Sequence, residues 1–247
     1  MTAIIEVKNV SKSFGGVVAN HEVSMTVNSG TITGLIGPNG SGKTTLFNSI
    51  VGYHPIDSGS IQFEGKEISR LSVQKIARRG MLRTFQQTRI YGEMNGVQNM
   101  LISLPHRKMS IWDALKTYTR EDYEKADHLL EFVGLYEKRM LKSGDLSFGQ
   151  QKLLEFAMAL MNEPTCLLLD EPTAGINPTL INGLIDRLKL ANSEFGITLF
   201  VIEHNMRVIM NLAESIYCLA HGELLAQGTP DEIQNDQNVI DAYLGAH

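Results

Sequence analysis

Several features are scarce in this chain of 247 residues, and each shortage narrows the class of protein. Cysteine occurs twice, at Cys166 and Cys218, inside apolar runs and without metal-ligand spacing. We therefore predict reduced, buried thiols in a cytosolic protein. No stretch approaches the roughly 20 apolar residues of a membrane span, and the start MTAIIEVKNV lacks the pattern of a signal peptide. If the protein works at a membrane, we expect partners to hold it there.

An excess of basic residues is also missing. Lysine and arginine number 22 against 27 acidic residues, which gives a formal net charge of −5. No global positive field therefore favours nucleic acid or anionic lipid, and we expect no nucleic-acid partner. With 43% hydrophobic and 20% charged residues, the composition is that of a folded globular protein and argues against disorder.

The order of the elements predicts an α/β core with a helical insertion. Strand patterns fill the first third, in IIEVKNV, VSMTV, TITGLIG and GSIQFEG, and a helix beginning near Lys43 interrupts them. From Asn95 to Asn162 apolar residues recur at helical spacing, as in SIWDALKTY and REDYEKADHLLEFVGL. After Pro164 short apolar strands alternate with helices, which is typical of a parallel sheet covered on both faces.

The segment GPNGSGKTT, Gly37 to Thr45, fits the pattern G-x-x-x-x-G-K-[ST] between a strand and a helix. Its glycines let backbone N–H groups point inward, Lys43 places a charge at the outer phosphates, and the Thr44 hydroxyl can bind Mg²⁺. The loop alone predicts a nucleoside triphosphate site, which kinases, GTPases and motor ATPases share. The predicted nucleotide-binding residues here are Gly37, Pro38, Asn39, Gly40, Ser41, Gly42, Lys43, Thr44 and Thr45.

A second apolar strand, in CLLLDEP, ends in two acids. Asp170 is the predicted Mg²⁺ partner, and Glu171 is the predicted base that polarises a water for attack on the γ-phosphate. His204 follows the next strand, in VIEHN. Because the carboxyl ends of parallel strands meet at one edge, we expect His204 near the two acids. A lone histidine is otherwise more often an ordinary polar residue.

The stretch LSFGQQ opens a long amphipathic helix. Ser147 and Gln150 fit a capping box, which leaves Gly149 unexplained. A glycine in the first turn removes the Cβ that would keep an anion away from the free amides. We therefore predict a second phosphate-facing helix start at Gly149.

LSFGQ resembles the signature sequence of ABC-type ATPases, and it lies between the phosphate loop and the LLLDE strand, where that family places it. The resemblance covers nearly the whole chain. It makes Phe14 the adenine-stacking aromatic, Gln86 the glutamine-loop residue that contacts Mg²⁺ and takes part in catalysis, and His204 the switch histidine. AGINP, Ala174 to Pro178, becomes a dimer-facing loop.

The resemblance implies that two ATPase domains pair head to tail around ATP and Mg²⁺. Each signature then closes over the nucleotide of the partner, so that Ser147, Gly149 and Gln150 belong to the nucleotide-binding set. The implied fold is a P-loop NTPase core with a parallel sheet, an N-terminal antiparallel β-subdomain and an inserted α-helical subdomain. The implied divisions of this single domain, 1–247, are 1–86 and 163–225 for the core with its β-subdomain, 87–162 for the helical signature subdomain and 226–247 for C-terminal helices.

Several stretches, among them RTFQ, AGINP, IEHNM and NVIDAYLG, are similar to the ATPase subunits of branched-chain amino-acid importers of the LivG type. Gly96 and Gln98 depart from that pattern, which has a β-branched residue and a glutamate there. The similarity implies import of branched-chain or other amino acids or a similar small solute. It also implies permease subunits, a second identical or related ATPase subunit, an indirectly coupled solute-binding protein and a peripheral place at the cytoplasmic membrane face.

Three other functions remain open from the sequence. The C-terminal segment also resembles the ATPase of lipopolysaccharide export. An ABC-type ATPase without a membrane partner could act in translation or DNA repair, although such proteins usually carry two cassettes or coiled-coil insertions. A phosphotransferase would use the same phosphate loop but leaves LSFGQ without a role. The transported solute cannot be read from this chain, because an ATPase subunit should not touch it.

Overall fold

The computed structural model describes residues 2–83, 90–104 and 118–244. The chain divides into two compact units. The first comprises Met1–Arg83, Thr165–Thr173 and Leu188–His247, and the second comprises Thr84–Pro164 and Ala174–Arg187. Gln86 and most of the helix predicted in SIWDALKTY lie outside the described residues.

The described residues of the first unit form two β-sheets. The four-stranded sheet has the order β2-β1-β4-β5 and is antiparallel, while the six-stranded sheet has the order β10-β9-β3-β8-β7-β6. In the described residues the strands are β1 (Ala3–Phe14), β2 (Val17–Asn28), β3 (Ile32–Ile36), β4 (Ser58–Phe63), β5 (Lys66–Glu67), β6 (Met81–Arg83), β7 (Cys166–Asp170), β8 (Thr198–Ile202), β9 (Ser215–Ala220) and β10 (Glu223–Gly228).

Helices of the described ranges follow the predicted alternation. They are α1 (Lys43–Ile50), α2 (Val73–Ala77), α3 (Gly96–Ile102), α4 (Arg120–Phe132), α5 (Phe148–Leu160), α6 (Pro178–Phe195), α7 (Met206–Leu212), α8 (Pro230–Asn235) and α9 (Gln237–Leu244). The predicted helix start near Lys43 and the predicted C-terminal helices are confirmed. None of these helices has both the length and the apolar character needed to cross a membrane.

The register of the six-stranded sheet determines where the polar residues at the ends of its parallel strands lie. Strands β9, β3, β8, β7 and β6 are parallel neighbours, and among the strands described β10 alone joins antiparallel. Ile202 of β8 pairs with Leu35 on one side and with Asp170 on the other. The residues that follow β3, β7 and β8 therefore leave the sheet at the same edge, as predicted from the sequence.

Helix α1 anchors the phosphate loop in the core. Leu46, Phe47 and Ile50 on its inner face are fully buried, and the ring of Phe47 lies 4.6 Å from that of Phe200 on β8. Burial of each such side chain contributes roughly 1.5–3 kcal/mol. The start of α1 at Lys43 is thereby fixed against the sheet.

The second unit contains α3, α4 and α5, and each of these helices begins with a capping box. In α3 the box joins Asn95 and Gln98, which gives Gln98 a local structural role. A Cβ on Gly96 would stand 3.1 Å from the carbonyl oxygen of Arg139, so the backbones approach closely there. Both departures from the importer pattern therefore have local explanations.

Both cysteines are buried and free. Burial raises the pKa of the Cys218 thiol to about 11, although the nearby Lys43 lowers it in part. Burial also raises the pKa of Cys166, with the Glu64 carboxylate adding to the effect. The thiols are therefore protonated at neutral pH. The prediction of free, buried cysteines is confirmed.

Candidate active site

The phosphate loop joins β3 to α1 and is shaped by glycines. Gly42 precedes α1 with φ +98°, and a Cβ there would stand 2.2 Å from the carbonyl oxygen of Ala19. Only glycine fits this position. The Lys43 ammonium is folded back onto the loop and donates to the carbonyl oxygens of Gly37, at 2.7 Å, and Pro38, at 3.0 Å.

Burial lowers the pKa of Lys43, while electrostatic interactions with Glu171, Cys218 and Asp170 act in the opposite direction. The charge of this lysine is therefore lost at a lower pH than that of an ordinary lysine. An ammonium held in a partly desolvated loop gains more from an incoming phosphate than an exposed one does. We therefore expect the affinity of the loop for phosphate to fall as the pH rises through the lowered pKa of Lys43.

Asp170 ends β7 as a buried carboxylate with one oxygen engaged. Arg83 at the end of β6 contacts its Oδ2 at 2.5 Å, and both side chains are less than one-tenth exposed. Asp170 Oδ1 is buried and has no hydrogen-bond partner among the described residues. One unused carboxylate oxygen, with the exposed Thr44 hydroxyl at the start of α1, is the kind of oxygen donor set that Mg²⁺ takes together with phosphate oxygens.

Glu171 and His204 are brought into contact at the edge of the sheet. His204 Nε2 lies 2.6 Å from Glu171 Oε1, and their side chains are 39% and 18% exposed. Glu171 has φ +50°, an unusual conformation for a residue with a side chain, and its N–H donates to the carbonyl oxygen of Ile202. A carboxylate with partial solvent access and a neighbouring imidazole suits activation of a water.

Glu203, which sequence reasoning did not single out, connects the two loops that carry this pair. It is 2% exposed. Its Oε1 accepts from the N–H and the hydroxyl of Thr173, and its Oε2 accepts from the N–H groups of His204 and Asn205. The detectable signal was an acid after the apolar run TLFVI, as in CLLLDE. Glu203 thus holds the loop after Glu171 and the backbone of His204 together.

Phe14 presents an exposed aromatic surface at the end of β1. Its side chain is 43% exposed, and its ring meets His54 edge to face at 5.2 Å between centroids. Lys12 Nζ lies 5.1 Å from the ring centroid and is paired with Asp57. An exposed ring that is held from one side suits stacking with a planar base.

The signature turn at the start of α5 has the predicted capping box. The N–H of Gln150 donates to Ser147 Oγ at 3.4 Å, and the N–H of Ser147 donates to Gln150 Oε1 at 3.1 Å. Gly149 is buried, and a Cβ there would stand 3.1 Å from Leu180 Cδ1 and 3.5 Å from Ile176 Cγ2. The side of Gly149 that we expected to be open for a phosphate is therefore filled by this chain's own residues.

Phe148 follows the N-cap of α5 and is 44% exposed, but one edge of its ring contacts the AGINP loop. Its ring lies against Gly175, where a Cβ would stand 2.9 Å from Phe148 Cε1, and Gly175 has φ +74°. Ring and glycine connect the signature turn with the AGINP loop. The signature thus has a packing role inside the chain besides any contact with nucleotide.

The predicted site residues divide between the two units. The first unit holds Phe14, the phosphate loop, Asp170, Glu171 and His204, of which Glu171 and His204 are in direct contact. The second unit holds Ser147, Gly149 and Gln150. Gln86 lies outside the described residues.

The family profile described as "ABC transporter" matches residues 20–174. The chain belongs to the ABC transporter family. A second profile, "Branched-chain amino acid ATP-binding cassette transporter", matches residues 223–247. The resemblance inferred from the ordered motifs is therefore confirmed.

Relatives in sequence and structure agree with this family. The chain is 39% identical to the high-affinity branched-chain amino acid transport ATP-binding protein BraF of Pseudomonas aeruginosa, over 98% of each chain. It is 35% identical to the corresponding protein LivG of Salmonella typhimurium, again over 98% of each. A solved ADP conformation of an ATP-binding cassette of an ABC transporter aligns with a TM-score of 0.88 and 34% identity, covering 99% of this chain and 100% of that one. The expected ABC ATPase fold is confirmed.

Proposed function

We propose that this chain is the ATP-hydrolysing subunit of an importer of branched-chain amino acids. The Glu171–His204 pair, at the sheet edge where the phosphate-loop strand also ends, is the observation that carries the hydrolytic part. The match of residues 223–247 to the branched-chain profile supports the importer over a lipopolysaccharide exporter. Membership of the ABC transporter family disfavours the phosphotransferase.

Each residue of the proposed site has a role that its surroundings support. Phe14 stacks on the adenine, the amides of the phosphate loop and Lys43 bind the phosphates, and Glu171 accepts a proton from the attacking water. His204 orients Glu171 through the 2.6 Å contact. Thr44, Asp170 and Gln86 would hold Mg²⁺, which neutralises charge on the phosphates when bound.

The proposed unit of function contains two ATPase chains, identical or related. Ser147, Gly149 and Gln150 would contact the γ-phosphate of ATP bound to the partner. The Gly149 N–H, in the first turn of α5, has no acceptor within the helix, and the Ser147 hydroxyl and the Gln150 side chain lie at the same turn. Permease subunits would hold the pair at the cytoplasmic face of the membrane and receive its movement. A solute-binding protein would act on it only indirectly.

Uptake in reconstituted vesicles tests which solute is transported. The chain and a candidate permease are co-expressed, inserted into proteoliposomes with ATP inside, and assayed with labelled leucine, isoleucine and valine. We expect uptake that requires ATP and is competed by the other two amino acids but not by lysine. ATP hydrolysis coupled to uptake of an unrelated solute would contradict the assignment of cargo.

Replacing Glu203 with glutamine should lower kcat by about tenfold or more, because a small displacement of catalytic groups has a large effect on rate. The amide supplies only one acceptor oxygen for N–H and hydroxyl donors on two loops. KM for ATP should change by less than about twofold, since the phosphate loop is untouched. Steady-state ATPase kinetics and a thermal melt measure the effects on rate and stability.

Glu214→Gln is the matched control. Glu214 accepts from the N–H of Ile32, at the opposite end of β3 from the phosphate loop. It should lower stability at most and leave kcat and KM unchanged. Equal loss of kcat in both variants would mean that Glu203 acts only through stability.

A further inference from the structure

The first glycine of the phosphate loop is held on two sides. Its N–H donates to the hydroxyl of Tyr243 at 2.8 Å, and its carbonyl oxygen accepts from Lys43 Nζ at 2.7 Å. Tyr243 lies in α9, 206 positions further along the chain. One residue, Gly37, therefore links the C-terminal helix to the lysine that would bind phosphate.

Gly37 has little freedom to move away from this arrangement. It has φ +147°, and a Cβ there would stand 2.1 Å from the carbonyl oxygen of Leu219 and 2.7 Å from Ser41 Oγ. The loop is thus closely packed on the β9 side. The Tyr243 hydroxyl constrains it on the side of its N–H.

Helix α9 meets the phosphate loop at a second place. Asp241 and Ala242 line a cavity of about 320 Å³ together with His221 and loop residues from Pro38 to Ser41. On its other side Tyr243 borders a larger cavity of about 640 Å³ between α7 and the C-terminal helices. On this side the ring of Tyr243 faces the cavity, whereas its hydroxyl bonds directly to the phosphate loop.

The chemistry of Tyr243 suits a permanent contact. Burial raises its pKa to about 12, although the bond from Gly37 partly offsets this. The hydroxyl therefore stays protonated and neutral throughout the physiological range. The contact should not depend on pH near neutrality.

We propose that Tyr243 is a positioning residue for ATP binding, whose hydroxyl holds the first glycine of the phosphate loop, and with it Lys43, in the phosphate-binding arrangement. The proposal rests on the proposed function, since it concerns the same nucleotide site. Through this contact the C-terminal segment would help the phosphate loop to bind ATP. Without the hydroxyl, ATP must order a looser loop, so affinity falls while the hydrolytic pair is untouched.

Tyr243→Phe removes only the hydroxyl and tests the proposal in the full-length chain. KM for ATP should rise about fivefold, the factor that corresponds to one hydrogen bond. Direct titration with a fluorescent ATP analogue should show the same loss. The kcat should stay within about twofold and the thermal midpoint close to that of the unaltered chain.

Tyr217→Phe is the matched control, because the Tyr217 hydroxyl is also bonded to backbone, at Thr26 on β2, and not to the phosphate loop. It should leave KM unchanged whatever it does to stability. Unchanged KM in Tyr243→Phe, or an equal rise in both variants, would overturn the proposal. Hydrolysis by the unaltered chain in the same assay tests the proposed ATPase activity itself. A failure of that proposal is therefore distinguishable from a failure of the role proposed for Tyr243.

Discussion

Replacing Glu171 with glutamine should lower kcat for ATP hydrolysis by on the order of 100- to 10,000-fold, the usual contribution of a general base. The amide keeps the shape of the side chain but cannot take a proton from the attacking water. ATP binding should persist, since the phosphate loop and Phe14 are unaltered. Phosphate release measured under saturating ATP, beside a nucleotide-binding titration, separates the two effects.

Glu223→Gln provides a matched control on the same unit. Glu223 also contacts a histidine, with 2.9 Å between its Oε1 and His21 Nδ1, but this pair is exposed. The control should hydrolyse ATP at the unaltered rate. Activity of Glu171→Gln within about twofold of that control would remove Glu171 from the proposed role of base.

Replacing Gly149 with aspartate should abolish hydrolysis and spare ATP binding at Lys43. A carboxylate in the first turn of α5 would repel the phosphate of a nucleotide held by the partner chain. The same change also forces side-chain atoms against Leu180 and Ile176. Hydrolysis, ATP binding and the thermal midpoint are therefore measured together.

A second pair of variants separates the packing of Gly149 from contact with nucleotide. Gly149→Ala adds only a Cβ, and Leu180→Ala removes the atom that this Cβ would approach at 3.1 Å. If the glycine is needed for packing alone, the double variant should recover both stability and hydrolysis. If approach of a partner's phosphate matters too, stability returns and hydrolysis does not.

Gly183→Asp is the control for a charge placed elsewhere in the second unit. A Cβ at Gly183 meets nothing within 4 Å, and the residue lies within α6. Hydrolysis should be retained in this variant. Retained hydrolysis in Gly149→Asp as well would contradict a nucleotide contact of the signature turn and leave only its capping role.

Local patterns predicted those parts of the fold that depend on local physics. The apolar runs ITGLI, CLLLD and TLFVI became fully buried parallel strands, because a strand covered on both faces must be apolar throughout. The S-x-x-Q pattern at Ser147 became a capping box, since its hydrogen bonds span only three residues. The phosphate loop was predicted from its glycine spacing for the same reason, because the pattern lies within nine consecutive residues.

Tertiary contacts are what the sequence did not reveal. In the sequence, Glu203 is indistinguishable from a solvated acid at the end of a strand. The fold gives it four hydrogen bonds to two loops. The neighbour of Gly149 is Leu180, 31 positions away, and no periodicity indicates that approach. Tyr243 lies in a segment from which we predicted helices and a family likeness but no site residue. Each of these contacts joins chain segments that only folding brings together.

The mass of the Glu171→Gln chain in solution tests the central claim most directly, because trapped ATP should hold two chains together. Size-exclusion chromatography with light scattering is run with Mg-ATP, with ADP and without nucleotide. We predict twice the single-chain mass of 27.4 kDa with Mg-ATP only, and its loss when Gly149→Asp is added. A single-chain mass under all three conditions would contradict an ATP site completed by a second chain.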